Sequence, residues 1–314
     1  MQPDKGQIPA HWSFHEFTPA EIPTGCVRAH ALGKTTGKIT FFLGFKTRPR
    51  EYNTPEIRAL QRSGFEIDFI PLPDPGKQIG YLEDYKNIVR DAVAGNLPEN
   101  GTSNHVPHFL FGHSLGARAI IAASQHEDSK KHINNKFTAS HLRSPFRSKP
   151  LLNLGYSLYC KMFKDVSYPN GPLDHFFNKE THSSPLKKDD NAITHGQILY
   201  SNYETSDLIN SLRSEYGNSP TDKWNIPTLM IGGEQDFVSD KDMIKLAADL
   251  IGATYIESKA GHNGFMECKE TRGTAKEFMY DQYEKWLDIH YPARNSIITE
   301  GHLTYNQWED PMVC

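Results

Sequence analysis

The sequence predicts an α/β fold: a mostly parallel, doubly wound sheet with helices on both faces and a cap inserted near the middle of the chain. Three observations predict it. Short strand-like runs alternate with helix-period stretches along most of the chain, which implies parallel strands joined by crossover helices. Runs such as KITFFLG are apolar on consecutive residues, as strands covered on both faces are. Between about Phe146 and Ile198 the alternation breaks.

In chain order, Ser13–Phe17, Cys26–Leu32 and Lys38–Leu43 read as strands, the third ending at Gly44. Pro55–Ser63 has helical period and stops at Gly64. FEIDFIPL is a strand closed by the turn PDPG. Tyr81–Ala94 carries apolar residues at helical spacing and stops at Gly95. His108–Phe111 is a strand, Leu115–Ser124 an Ala- and Ile-rich helix, and Lys136–His141 a further strand. Thr228–Ile231 and Thr254–Glu257 are strand-like, DKDMIKLAADL is helical, and Lys269–His290 is a long helical pattern. This divides the chain into a core of residues 1–145 and 197–314 and a cap or lid of residues 146–196, since a structureless loop of that length is unusual in a compact domain. In the cap, Leu151, Leu154 and Leu158 share one helical face.

The 314 residues are 37% hydrophobic and 23% charged, with a formal net charge of −4, a globular composition lacking the basic excess of a nucleic-acid binder. The chain has no run of about 18 apolar residues, so stable membrane insertion is not expected. MQPDKGQIPAHWSFHEF lacks a basic start followed by an apolar stretch, so no secretory leader is expected. Cys26, Cys160, Cys268 and Cys314 are widely spaced and fit reduced thiols in a cytoplasmic protein. None of the fifteen histidines sits in an HExxH-type metal spacing.

Gly112-His113-Ser114-Leu115-Gly116 is a G-x-S-x-G sequence. Such a pentapeptide arises by chance about once in ten chains of this length. Its setting is more informative: an apolar strand precedes it and a helix follows, the context of a nucleophile elbow. A turn that tight strains the serine backbone and leaves room only for small flanking residues. It also sets the hydroxyl at a helix N-terminus, where negative charge is favoured. A serine needs a base, and the base an orienting acid, in the chain order Ser, acid, His. Asp236 follows the strand PTLMI, and His262 follows TYIES; both sit where loops leave the carboxyl edge of the sheet. Ser114 is thus the candidate nucleophile, His262 the general base and Asp236 the acid. Asp240 and Asp242 are rival acids, placed to start the next helix. The backbone N–H groups of Leu115 and Phe45 are the candidate oxyanion donors, with Gly44 allowing close approach. Gly44, His113, Leu151, Leu154 and Leu158 are candidate substrate contacts. Arg48 with Arg50, and Arg143 with Arg147 and Lys149, would either meet a phosphate headgroup or form solvated basic turns.

With these residues in view, the chain resembles the monoacylglycerol lipase and lysophospholipase group of α/β-hydrolase-fold enzymes, also labelled serine aminopeptidase-like. The resemblance rests on ITFFLGF, RALQRSGFEIDFIPLPDPG, GHSLGARAII, PTLMIGGEQDFV and AGHNGFMECKETR, and spans about Thr40 to Leu287. It implies hydrolysis of fatty-acyl carboxylic esters, such as monoglycerides or lysophospholipids, without metal or organic cofactor. The apolar face of the cap, on its own residues, would line an acyl pocket, touch a lipid surface transiently or pack against the core. Two departures stand out: Leu43-Gly44 where the family usually has His-Gly, and PDPGKQIG where it tends to show D-x-x-G-x-G. The same three residues would also serve thioester hydrolysis or acyl transfer, and a silent binding protein on this fold is the alternative of another class. An aminopeptidase reading has less behind it, since the cap offers no evident acidic pair for a substrate amine.

Overall fold

Strands built from Phe, Ile and Val and connected by amphipathic helices pack as a central sheet between two helical layers. The computed structural model describes residues 12–15, 26–44, 47, 49–71, 82–96, 106–146, 195–217, 224–234, 236, 239–259, 261–262 and 269–291. The strands are β1 (Trp12–His15), β2 (Cys26–Ala29), β3 (Gly37–Phe42), β4 (Phe65–Ile70), β5 (His108–His113), β6 (Ala139–Arg143), β7 (Thr228–Gly233) and β8 (Thr254–Ser258). The helices are α1 (Pro55–Arg62), α2 (Leu82–Asp91), α3 (Leu115–Ser124), α4 (Glu127–Lys136), α5 (His195–Tyr216), α6 (Lys241–Ile251) and α7 (Lys269–His290).

The sheet runs β1-β2-β4-β3-β5-β6-β7-β8. From β4 to β8 every pairing is parallel, while β1 with β2 and β2 with β4 are antiparallel. Strand alternation splits the apolar residues between two cores. Phe42, Leu110, Leu142 and Met230 face Tyr85, Val89, Ile120 and Ile244 of α2, α3 and α6. Ile39, Phe41, Phe69, Phe109 and Phe111 face the opposite way, against Ile57 and Leu60 of α1 and Met279, Tyr283 and Leu287 of α7. Each such side chain contributes about 1.5–3 kcal/mol on burial, so the central strands are held from both sides. Arg28 is buried with its charge paired: opposite Asp68 in the β2–β4 register, it donates from Nε and Nη2 to the two carboxylate oxygens at 2.6 and 2.7 Å.

Local chemistry fixes the helix ends. Thr54 caps α1 ahead of Pro55, and Asp240 caps α6 by accepting from the N–H groups of Asp242 and Met243. Gly252 closes α6 with φ 74°, a conformation that favours glycine. Among the described residues no helix is long and apolar enough to cross a membrane.

Two expectations are corrected. The strand expected from Lys136 begins at Ala139, because Lys136 ends α4, a polar helix that buries only Ser129 and Ile133. Helix α5 starts at His195, so the boundary drawn at 196/197 falls inside it. The cap itself, with Leu151, Leu154 and Leu158, lies outside the described residues except for buried Phe146 and the first residues of α5.

Three histidines lie in the sheet, His113 and His141 buried and His108 half-buried. Burial, helped by nearby cations, lowers His108 to about 3 and His141 well below its ordinary value. Burial and then His262 lower His113 to about 3. A neutral imidazole of this kind stabilises the fold in full above the unfolded value near 6.5, and the contribution is lost as pH falls toward 3, because the unfolded chain takes up protons the folded chain refuses. Each contributes a slope of up to about 1.4 kcal/mol per pH unit. Urea midpoints measured between pH 7 and 4 should therefore fall steeply below about pH 6.5; a flat profile would refute the neutral assignment.

Candidate active site

Three strand ends meet at the carboxyl edge of the sheet. Ser114 follows β5, Asp236 lies just beyond β7, and His262 just beyond β8. The elbow at Ser114 has φ 53° and ψ −120°, a left-handed conformation in a residue with a Cβ. It is held by the Ser114 N–H donating to the Arg143 carbonyl at 2.8 Å, and by the Ser114 carbonyl accepting the first helical bond from Arg118 N–H at 3.1 Å. The flanking glycines are there for lack of space. A Cβ at Gly112 would lie 2.6 Å from Ala117 Cα, and one at Gly116 would run into the carbonyl oxygens of Phe42 and Leu43.

The three side chains predicted to act together are in line. Ser114 Oγ lies 3.0 Å from His262 Nε2. His262 Nδ1 lies 2.9 and 3.1 Å from Asp236 Oδ2 and Oδ1. The Asp236 side chain is fully enclosed. Burial pushes its carboxyl up, but the facing His262 and hydrogen bonds from His262, Ser144 and Ser239 outweigh that and hold it below its ordinary value. Ser144 Oγ donates to Oδ2 at 2.7 Å and Ser239 N–H to Oδ1 at 2.8 Å, so the carboxylate keeps its place and its charge. Ser239 Oγ donates in turn to the Ser144 carbonyl at 2.9 Å. Ser144 is the other described non-glycine residue with positive φ, at 49°. Asp240, the rival acid, is engaged as the α6 cap.

Leu115 is the first residue of α3, where a backbone N–H has no acceptor within its own helix. Phe45 lies outside the described residues. Gly44 abuts the elbow: a Cβ on it would come within 3.3 Å of Ser114 Cβ. Its N–H is directed at the Tyr52 hydroxyl, 3.1 Å away.

Two expected contacts with substrate do not fit the geometry. His113 is buried, with Nδ1 2.8 Å from the Tyr52 hydroxyl and Nε2 3.0 Å from the His262 carbonyl oxygen, which leaves neither nitrogen for a ligand. Arg143 is neither a headgroup contact nor a solvated turn. Its guanidinium is buried, forms a bidentate pair with Glu56, and donates from Nε to His141 Nε2 at 3.2 Å. Arg48, Arg147 and Lys149, like the Arg50 side chain, lie outside the described residues. Tyr52, Ser144 and Ser239 were not anticipated. For Ser144 a signal exists, a polar residue at the end of the strand SHLR, but nothing in one dimension points it at residue 236.

The fold and the family follow from comparison with known proteins. A soluble variant of monoglyceride lipase from Saccharomyces cerevisiae, in complex with a substrate analog, superposes with a TM-score of 0.52 at 16% identity, over 88% of this chain and 94% of that one. Monoacylglycerol lipase from Paleococcus ferrophilus gives 0.52 at 18% identity, over 84% and 98%. Est1E from Butyrivibrio proteoclasticus gives 0.53 at 13% identity, over 86% and 98%. No curated protein sequence matches the chain significantly. The architecture is the α/β-hydrolase fold. Residues 57–265, most of the chain, match the family described as serine aminopeptidase, S33, and the chain belongs to that family of hydrolases.

Proposed function

We propose that the chain is a serine hydrolase that cleaves carboxylic esters of lipid-like substrates, of the monoacylglycerol or lysophospholipid type, through an acyl-enzyme on Ser114. The observation that carries this reading is the unbroken line from the Ser114 hydroxyl through the His262 ring to the enclosed Asp236 carboxylate, with separations of 3.0 and 2.9 Å. The carboxylate can only accept, so Nδ1 carries the proton and Nε2 is left as the acceptor facing Ser114. In the reaction Oγ attacks the ester carbonyl carbon while its proton passes to Nε2. The imidazolium so formed is stabilised by Asp236. The tetrahedral oxyanion is received by the Leu115 N–H at the α3 N-terminus, with the Phe45 N–H as the second donor. Nε2 then returns the proton to the departing alcohol oxygen, leaving the acyl group on Ser114. Water repeats the sequence and releases the carboxylate. The choice of lipid-like esters is supported by neighbours of the same fold named as lipases and esterases.

The test is labelling by a fluorophosphonate together with turnover of p-nitrophenyl acyl esters graded in chain length, and of glycerol monoesters with and without a phosphate head group. Labelling and turnover are expected in the native chain and should vanish in Ser114→Ala, with rates rising toward longer acyl chains. Undiminished labelling of Ser114→Ala would remove the nucleophile, and preference for short soluble esters would remove the lipid-like substrate.

A further inference from the structure

Behind the elbow runs a second line of hydrogen bonds, and its direction can be worked out atom by atom. The His262 backbone carbonyl can only accept, so His113 Nε2, 3.0 Å away, must carry a hydrogen and donate to it. His113 is neutral, held there by burial and by the adjacent His262, so its Nδ1 has no hydrogen and accepts. The donor to Nδ1 is the Tyr52 hydroxyl at 2.8 Å. The Tyr52 oxygen in turn accepts from Gly44 N–H at 3.1 Å. Thr47 completes the loop end by donating from Oγ1 to the Gly44 carbonyl at 2.8 Å. Thr47 Oγ1 also lies 3.3 Å from the Tyr52 oxygen, but its own hydrogen goes to the Gly44 carbonyl and Nδ1 needs a donor, so the phenolic hydrogen goes to the nearer His113 and the bonds run from Gly44 through Tyr52 and His113 to residue 262.

The rings along it are packed as well as bonded. Tyr52 sits edge-on to Phe41 at 5.0 Å and edge-on to His113 at 5.9 Å, and it is buried in the core on the α7 side of the sheet. The His113 ring lies 5.0 Å from the His262 ring. Phenol and imidazole therefore have little freedom to turn aside.

We infer that Tyr52 and His113 form one rigid strut that sets the distance between the loop after β3, at Gly44, and the loop that carries His262, and so positions the base and the oxyanion side of the site together. This rests on the hydrolase reading above and adds two positioning residues to it; neither touches the reacting atoms. Serine-based catalysis is sensitive to sub-ångström placement of the base, and a strut tying both walls to one line of bonds holds the loops in register. Without the phenolic hydroxyl, Nδ1 loses its donor and Gly44 N–H loses its acceptor at once.

Tyr52→Phe removes only the hydroxyl and keeps the ring packing. Its kcat on a p-nitrophenyl ester is expected to fall about tenfold with KM unchanged within about twofold. His113→Asn is expected to lose kcat to at least the same degree, and the double variant to be no slower than the slower single variant within about twofold, because the two residues act as a unit. Losses that multiply in the double variant, a change confined to KM, or unchanged kcat in Tyr52→Phe would overturn the strut. A second readout needs no turnover and no variant: nitrogen chemical shifts of the histidine rings in the native chain between pH 5 and 8. His113 is expected as a neutral ring protonated on Nε2 throughout. A ring protonated on Nδ1, or one that gains charge in that range, would reverse the bonds and overturn the proposal. Failure of the hydrolase reading would show instead as activity surviving Ser114→Ala.

Discussion

Asp236→Asn is expected to lower kcat about 10⁴-fold while leaving the fold and KM nearly intact. The two side chains have the same shape, so the reason lies in hydrogens. The native carboxylate accepts three donors at once: His262 Nδ1 at 2.9 Å, Ser144 Oγ at 2.7 Å and Ser239 N–H at 2.8 Å. An amide has one oxygen. Keeping that oxygen toward Ser144 or Ser239 turns the NH₂ group toward Nδ1, which must then become an acceptor. The ring hydrogen moves to Nε2, where it faces the Ser114 hydroxyl and blocks proton transfer. The measurement is steady-state kcat and KM on a p-nitrophenyl ester at pH 7 to 8, with circular dichroism to show an unchanged fold. A loss of less than about tenfold would mean that the carboxylate is not the orienting acid.

Gly116→Ala is expected to destabilise the chain by about 3 kcal/mol, although alanine is the better helix former. In an open helix the substitution would gain up to about 1 kcal/mol. Here the added carbon would overlap the carbonyl oxygens of Phe42 and Leu43. Phe42 ends the central strand β3, with β4 and β5 paired on either side, and Leu43 follows it with its N–H donating to the Ile70 carbonyl, so neither oxygen has a route of retreat. Steric overlap against backbone exceeds the propensity gain. Urea unfolding should show a lower midpoint with an unchanged slope, and any rise in the midpoint would mean that helix and strand are not in contact at this point.

What could be read from one dimension followed burial. The helix Leu115–Ser124 is legible because all ten of its residues are buried and the sequence there is nearly all apolar. The spacing Ser114, Asp236, His262 is legible because each residue follows a recognisable strand. The first strands are less so: β1 and β2 pair antiparallel at one edge of the sheet, and strand-like runs in a sequence carry no sign of their direction. Strands β5 and β6 run two residues beyond their apolar stretches, through His113 and Arg143, because those polar groups find partners inside the protein: Tyr52 and the His262 carbonyl for one, Glu56 for the other. A lone arginine in a sequence carries no sign of the carboxylate 87 residues away that permits its burial. The supporting serines are hidden for the same reason, since Ser144 meets Asp236 across 92 residues.

The separation of the parts has a consequence for how the chain acquires its chemistry. Ser114 and His262 are 148 residues apart, and the imidazole arrives only when β8, the outermost strand, docks beside β7. Closing so long a loop is entropically late, and high contact order slows it further. A nascent or partly refolded chain can hold a finished elbow on a well-packed sheet and still be inert. On the proposed triad, competence is thus conferred at the periphery, by a segment far along the chain from Ser114, and a serine without its base cannot act on other molecules while the rest of the protein is still being made.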